Sequence, residues 1–169
     1  MSQRYITLEQ EKRANMPKLT IEKILETAIE IEEQSQALYT TAQGKAKNPS
    51  SKKFLKGLAQ EELKHEEKLH AMMKNKAKLA ELGKHERKVQ DLKIVDYMED
   101  TPLSADADYA TILIYAAKRE KSTFEYYNSL AKGLESTDAG AVFSKLAQEE
   151  LAHKNKLETE YDEYFLKEN

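Results

Sequence analysis

Apolar residues recur at three- and four-residue steps along four long stretches of the chain. The first stretch carries Ile24, Ala28, Ile31 or Glu32, Ser35, Tyr39 and Ala42, and the second Leu55, Leu58, Glu62, His65, Leu69 and Met72. The third carries Ile112, Ala116, Glu120, Thr123, Tyr127 and Ala131, and the fourth Phe143, Leu146, Glu150, His153, Leu157, Tyr161 and Tyr164. Such steps hold side chains on one face of an α-helix. Pro17, Pro49 and Pro102 each precede a long proline-free stretch, where a helix can start but not be interrupted. Four long helices are therefore predicted. One runs from about Thr20, as N-cap, to Lys47. The next runs from Ser50 or Ser51 to about Leu82, ending near Gly83. The third starts after Ser104 and stops at Gly133, and the last runs from around Ser136 almost to the C-terminus.

The first and last connections are short, so the helices should pair into two antiparallel hairpins, about 20–82 and 105–167. The connection at about 83–104 is long enough to cross a bundle. It should hold a shorter helix, with Leu92, Ile94, Val95, Tyr97 and Met98 as an apolar patch. Residues 1–19 read as an N-terminal arm or short helix, with a capping-box spacing from Thr7 to Gln10.

The two hairpins are copies of one another. LAQEELKHEEKL at 58–69 returns as LAQEELAHKNKL at 146–157, an offset of 88. The same offset carries Glu32 onto Glu120 and Tyr39 onto Tyr127 without insertion. A repeat of this kind predicts an all-α, pseudo-twofold four-helix bundle of residues 20–169.

Composition narrows the function. The 169 residues contain no Cys, which excludes disulfides, thiolate metal sites and a cysteine nucleophile. The net charge of −3, with lysines scattered among glutamates, gives no basic face for nucleic acid. No apolar run nears the roughly 18 residues of a membrane span. The N-terminal sequence lacks the apolar core of a signal peptide, so a cytoplasmic location is expected.

Each apolar stripe is broken by a carboxylate: Glu32, Glu62, Glu120 or Glu150. Two stripes also carry His65 or His153. Four carboxylates in one core would repel each other and take up protons unless cations compensated them. A dinuclear metal site resolves the conflict. Glu62 and His65 can reach one ion, Glu150 and His153 a second, and Glu32 and Glu120 enter from the other two helices. Four negative charges match two divalent ions. Oxidation to two trivalent ions would be balanced by a bridging oxide or two hydroxides. Carboxylate with imidazole suits iron or manganese, and zinc would also bind.

The spacing separates this set from chance. Glu67 and His70 repeat the three-residue step, but Glu67 lies off the stripe and no glutamate precedes it by 30 residues. That interval separates Glu32 from Glu62 and Glu120 from Glu150. Glu33, Glu61 and Glu149 read as solvated neighbours, the last two about 100° around their helices.

These residues resemble the ferritin-like di-iron carboxylate proteins, most closely the rubrerythrin family, over nearly the whole chain from about Thr20. The family pattern falls on Glu32, Glu62, His65, Glu120, Glu150 and His153. The resemblance implies a ferritin-like bundle with a long crossover and two iron ions cycling between Fe2+ and Fe3+. It implies reduction of hydrogen peroxide or dioxygen, with Tyr39 and Tyr127 hydrogen-bonded to ligand carboxylates across the bundle. Typical rubrerythrins add a Cys-rich rubredoxin domain that delivers electrons, so a separate electron-donor protein is expected here. They also carry a glutamate where this chain has Thr123, which makes a symmetric ferroxidase centre for iron handling the first alternative. A metal-stabilised structural or partner-binding bundle is the second. A homodimer is expected, with a domain-swapped form as its variant.

Overall fold

The computed structural model describes residues 19–90 and 102–168. Helix α1 (Ile21–Lys45) and α2 (Pro49–Lys74) form the first hairpin. The short helices α3 (Lys76–Gly83) and α4 (Glu86–Gln90) follow, and α5 (Tyr109–Gly133) and α6 (Asp138–Glu168) form the second hairpin. Helix α1 packs mainly on α2 and α5 mainly on α6, while α1 meets α5 and α2 meets α6 across the bundle. Among the described residues there is no strand. The arm at 1–18 and the patch from Leu92 to Met98 lie outside the described residues.

The helix ends follow local chemistry. Thr20 caps α1 by accepting from the Lys23 amide at 3.2 Å, and Asn48 caps α2 by accepting from Ser51 at 2.8 Å. Pro49 occupies the first turn of α2, where its missing N–H costs nothing. Asp108 caps α5 through the Thr111 amide at 2.8 Å. Glu86 of α4 accepts from the Ile21 amide at 3.3 Å and so satisfies a free donor at the start of α1.

The second long helix is not continuous to Leu82, as the stripe suggests. It stops at Lys74, and Asn75 takes an extended backbone (φ −89°, ψ 94°). The Asn75 amide closes α2 on the Met72 carbonyl, and its side chain starts α3 by accepting from Lys78 at 3.1 Å. The redirection brings Leu82 into the core against α1. Between α5 and α6, Ser136 adopts φ 68°, the left-handed region, and Thr137 accepts from the Gly140 amide at 3.0 Å. Gly140 sits so close to this turn that a Cβ there would lie 2.2 Å from the Leu134 carbonyl oxygen.

The core is layered along the bundle axis. One apolar cluster gathers Ile24, Leu25, Leu69, Met72, Tyr126, Leu130, Phe143 and Leu146. Another gathers Ala42, Leu55, Leu58, Ile112, Leu113, Ala116 and Leu157. Each fully buried leucine contributes about 1.5–3 kcal/mol. The stripes place between them a layer of buried polar residues: Glu32, Ser35, Glu62, His65, Glu120, Thr123, Glu150 and His153.

Candidate metal centre

The polar layer receives its six ligand-type side chains one helix at a time. Glu32 comes from α1, Glu62 and His65 from α2, Glu120 from α5, and Glu150 and His153 from α6. The three-residue step points each glutamate and its histidine the same way from one helix face. All six are buried, and they come together within a single chain.

Their donor atoms form two overlapping sets, each with atoms within 4.8 Å of one another: Glu32, Glu62, His65 and Glu150, then Glu62, Glu120, Glu150 and His153. Glu62 and Glu150 belong to both. Glu62 lies 3.1 Å from His65 Nδ1 through one oxygen and 3.0 Å from His153 Nδ1 through the other. Glu150 does the same at 2.8 and 3.2 Å. Glu32 stands 3.6 Å from His65 Nδ1. The two imidazoles stack with centroids 5.6 Å apart and planes 16° from parallel.

The electrostatics are those of a crowded anionic core. Burial, then the neighbouring carboxylates Glu150 and Glu62, push Glu32 well above the usual carboxylate range. Glu120 is pushed up by burial and by the same two neighbours. Burial would also raise Glu150, but the close approach of His153 and His65 outweighs that and brings it down to about 2. Burial disfavours the imidazolium of His153, yet Glu150 and Glu62 overcome it and push the group up to about 10. His65 is raised too, burial being overcome by Glu150, Glu32 and Glu62. In the protein without a cation, protons on the imidazoles offset the carboxylates.

That compensation is incomplete. Both oxygens of Glu62, Oε2 of Glu32 and Glu120, Oε1 of Glu150 and Nδ1 of His65 are buried without an aligned hydrogen bond. Buried carboxylate oxygens ordinarily have partners, and leaving them without costs several kcal/mol each. Five such oxygens and one imidazole nitrogen converging on one layer fit a pair of cations, being donors of the kind that suit iron, manganese or zinc.

The surrounding contacts cross between hairpins. The Tyr39 hydroxyl donates to Glu120, and the Tyr127 hydroxyl donates to Glu32. Burial, then the facing glutamate, raises both phenols well above the ordinary tyrosine value. Thr123 directs its hydroxyl to the Arg119 carbonyl at 3.1 Å, one turn back on its own helix.

Two residues read as solvated do keep contact with solvent, their side chains 42% and 34% exposed, but each also reaches a buried histidine. His65 Nε2 lies 2.9 Å from Glu149, and His153 Nε2 lies 2.6 Å from Glu61. A residue about 100° off the buried stripe faces the adjacent helix of a four-helix bundle rather than water alone. The available signal was the repeat itself, which duplicates these glutamates along with their neighbours. Glu61 is held below the usual carboxylate range, because Lys156 and His153 outweigh the effect of its partial burial. His70 pairs with Glu66 at 3.3 Å, not with Glu67, and forms with Glu66 and the exposed Glu33 a third donor group. That group keeps contact with solvent, so its burial calls for no cation.

The Rubrerythrin family model matches residues 23–110 and 111–169, which include all six clustered side chains. The chain belongs to the rubrerythrin family. Its bundle is accordingly the ferritin-like architecture, and its buried carboxylate and histidine groups suggest a di-iron site. No curated protein and no solved structure matches the chain. No helix among the described residues is long and apolar enough to cross a membrane.

Proposed function

We propose that the buried layer holds two iron ions and that the protein is a di-iron oxidoreductase acting on hydrogen peroxide or dioxygen. The observation that carries this reading is the pair of overlapping donor sets sharing Glu62 and Glu150. Glu32 and His65 would complete the ligands of one ion, and Glu120 and His153 those of the other. A bound Fe(II) pair would supply two electrons, the number that reduces hydrogen peroxide to water or dioxygen to the level of peroxide.

The chain's own residues do the remaining work. The four carboxylates offset the positive charge of the ions. Tyr39 and Tyr127 hold Glu120 and Glu32 in orientation by hydrogen bonds from the opposite hairpin. The apolar clusters on either side of the layer limit water to the reacting position. The bundle has no Cys with which to hold an iron–sulfur or rubredoxin-type group, so the reading includes an electron donor outside the bundle. It also includes a homodimer in a reducing, cytoplasmic setting.

A second reading, oxidation of iron for its own handling, is favoured by one observation. Ser35 and Thr123 occupy equivalent positions in the repeat, so neither half offers an additional carboxylate there. Stopped-flow mixing of the Fe(II)-loaded protein tests both. Faster oxidation by hydrogen peroxide than by dioxygen is the expected result. Faster oxidation by dioxygen would favour iron handling, and no reaction with either would leave a structural bundle.

A further inference from the structure

The inner nitrogens of the two histidines face the carboxylate layer, and their outer nitrogens face something else. His153 Nε2, on α6, lies 2.6 Å from an oxygen of Glu61, on α2. His65 Nε2, on α2, lies 2.9 Å from an oxygen of Glu149, on α6. Glu61 is in turn held by Lys156, whose ammonium lies 3.1 and 3.4 Å from its two oxygens. Glu149 is held by Lys68 at 3.3 Å. The offset of 88 carries Glu61 onto Glu149, His65 onto His153 and Lys68 onto Lys156. The same three-residue relay therefore occurs twice, and every link in it joins one hairpin to the other.

We propose that Glu61 and Glu149 are positioning residues of the metal centre, each holding the imidazole of the opposite hairpin as its Nε2–H tautomer so that Nδ1 is the ligand atom. A neutral imidazole carries one proton on two nitrogens, and the hydrogen bond made by one nitrogen decides which is left to bind a metal. A carboxylate accepts and cannot donate, so it selects the N–H form of the nitrogen it faces. The lysine fixes the carboxylate in turn. Each Glu-Glu-x-x-His run thus points in two directions. Its second glutamate and its histidine face the layer, while its first glutamate holds the histidine across the bundle. Metal uptake by one half then depends on the backbone position of the other. The inference rests on the reading of the layer as a metal centre.

Zinc, being diamagnetic, allows the test by proton and nitrogen NMR together with competition titration for affinity. Wild-type protein is expected to bind two Zn2+ and to show a protected Nε2–H resonance from each of His65 and His153. Glu61→Ala should remove the protected resonance of His153 and leave that of His65, and Glu149→Ala should do the reverse. The double variant should bind Zn2+ about 10–100-fold more weakly, the range typical for loss of such partners. Glu61 is 42% exposed, so its replacement should leave the helical circular dichroism intact. If Glu61→Ala nevertheless fails to fold, Glu61→Gln gives the same test through a weaker, neutral acceptor and should shift the His153 resonance alone. Wild-type protein that takes up no Zn2+ would overturn the metal-centre reading and this proposal with it. Wild type that binds two ions while Glu61→Ala retains its affinity and its His153 resonance would overturn the positioning role alone.

Discussion

The hydroxyl of Tyr127, on α5, donates a hydrogen bond to the carboxylate of Glu32, on α1. The residues stand 95 apart in sequence, and Tyr39 makes the matching contact with Glu120 in the opposite direction. Each hairpin thus supplies the donor that holds the other's glutamate. Replacing Tyr127 with Phe keeps the ring packed against Phe143 but leaves a buried carboxyl oxygen without its donor. The expected cost to the metal-free protein is about 1–3 kcal/mol. Denaturant unfolding of Tyr127→Phe against wild type measures it, and an unchanged midpoint would show that the bond contributes nothing.

The charges of the layer give a pH dependence with a definite sign. Glu32 and Glu120 are raised above 4.5, and His153 is raised from 6.5 to about 10. Groups with raised folded values hold their protons more tightly in the folded state. Their stabilisation is therefore full below the unfolded value and lost as pH rises through the folded one. For His153 that window runs from 6.5 to about 10. Glu150, lowered to about 2, acts oppositely, its contribution being present above 4.5 and lost as pH falls through about 2. The metal-free protein should accordingly be most stable in mildly acidic solution, with a Tm that falls toward alkaline pH. Metal ions compete with those same protons, so the Tm gain on adding Zn2+ should grow as pH rises. Thermal unfolding followed by circular dichroism, with and without Zn2+, reads both trends. A metal-free Tm that climbs steadily from mildly acidic to alkaline pH would show that these protons do not govern the stability of the layer.

Two glycines make a paired test of packing. A Cβ at Gly140 would lie 2.2 Å from a backbone oxygen, whereas a Cβ at Gly57, inside α2, would meet nothing within 4 Å. Gly140→Ala should force the turn before α6 to shift and destabilise the protein by about 1–3 kcal/mol. Gly57→Ala should stabilise it by about 0.5–1 kcal/mol through a lower entropy cost in the helix. A Gly140→Ala midpoint that rises along with that of Gly57→Ala would show that the turn yields more easily than its geometry implies.

Much of this arrangement is legible in the chain before any coordinates. The stripe of Leu55, Leu58, Glu62, His65 and Leu69 announces a buried face with charges in it, and the 88-residue repeat says that a second copy must meet it. Periodicity is a local signal, however, and it fails where a polar side chain competes with the helix for backbone bonds. Asn75 does so, ending α2 and starting α3 within a stretch whose apolar spacing continues to Leu82. It is also incomplete at Glu61 and Glu149, which keep solvent contact as expected yet each reach a histidine. A helical wheel marks them as off the buried face, but it holds no information about the neighbouring helix from which a histidine reaches them.

Metal content per chain decides whether the buried layer is a dinuclear centre. Protein loaded anaerobically with Fe(II), then freed of loose metal, should retain two ions per chain. The double variant Glu62→Ala, Glu150→Ala removes both carboxylates common to the two donor sets and should retain none. Two tightly held ions in that variant would contradict the assignment of the layer as the metal centre.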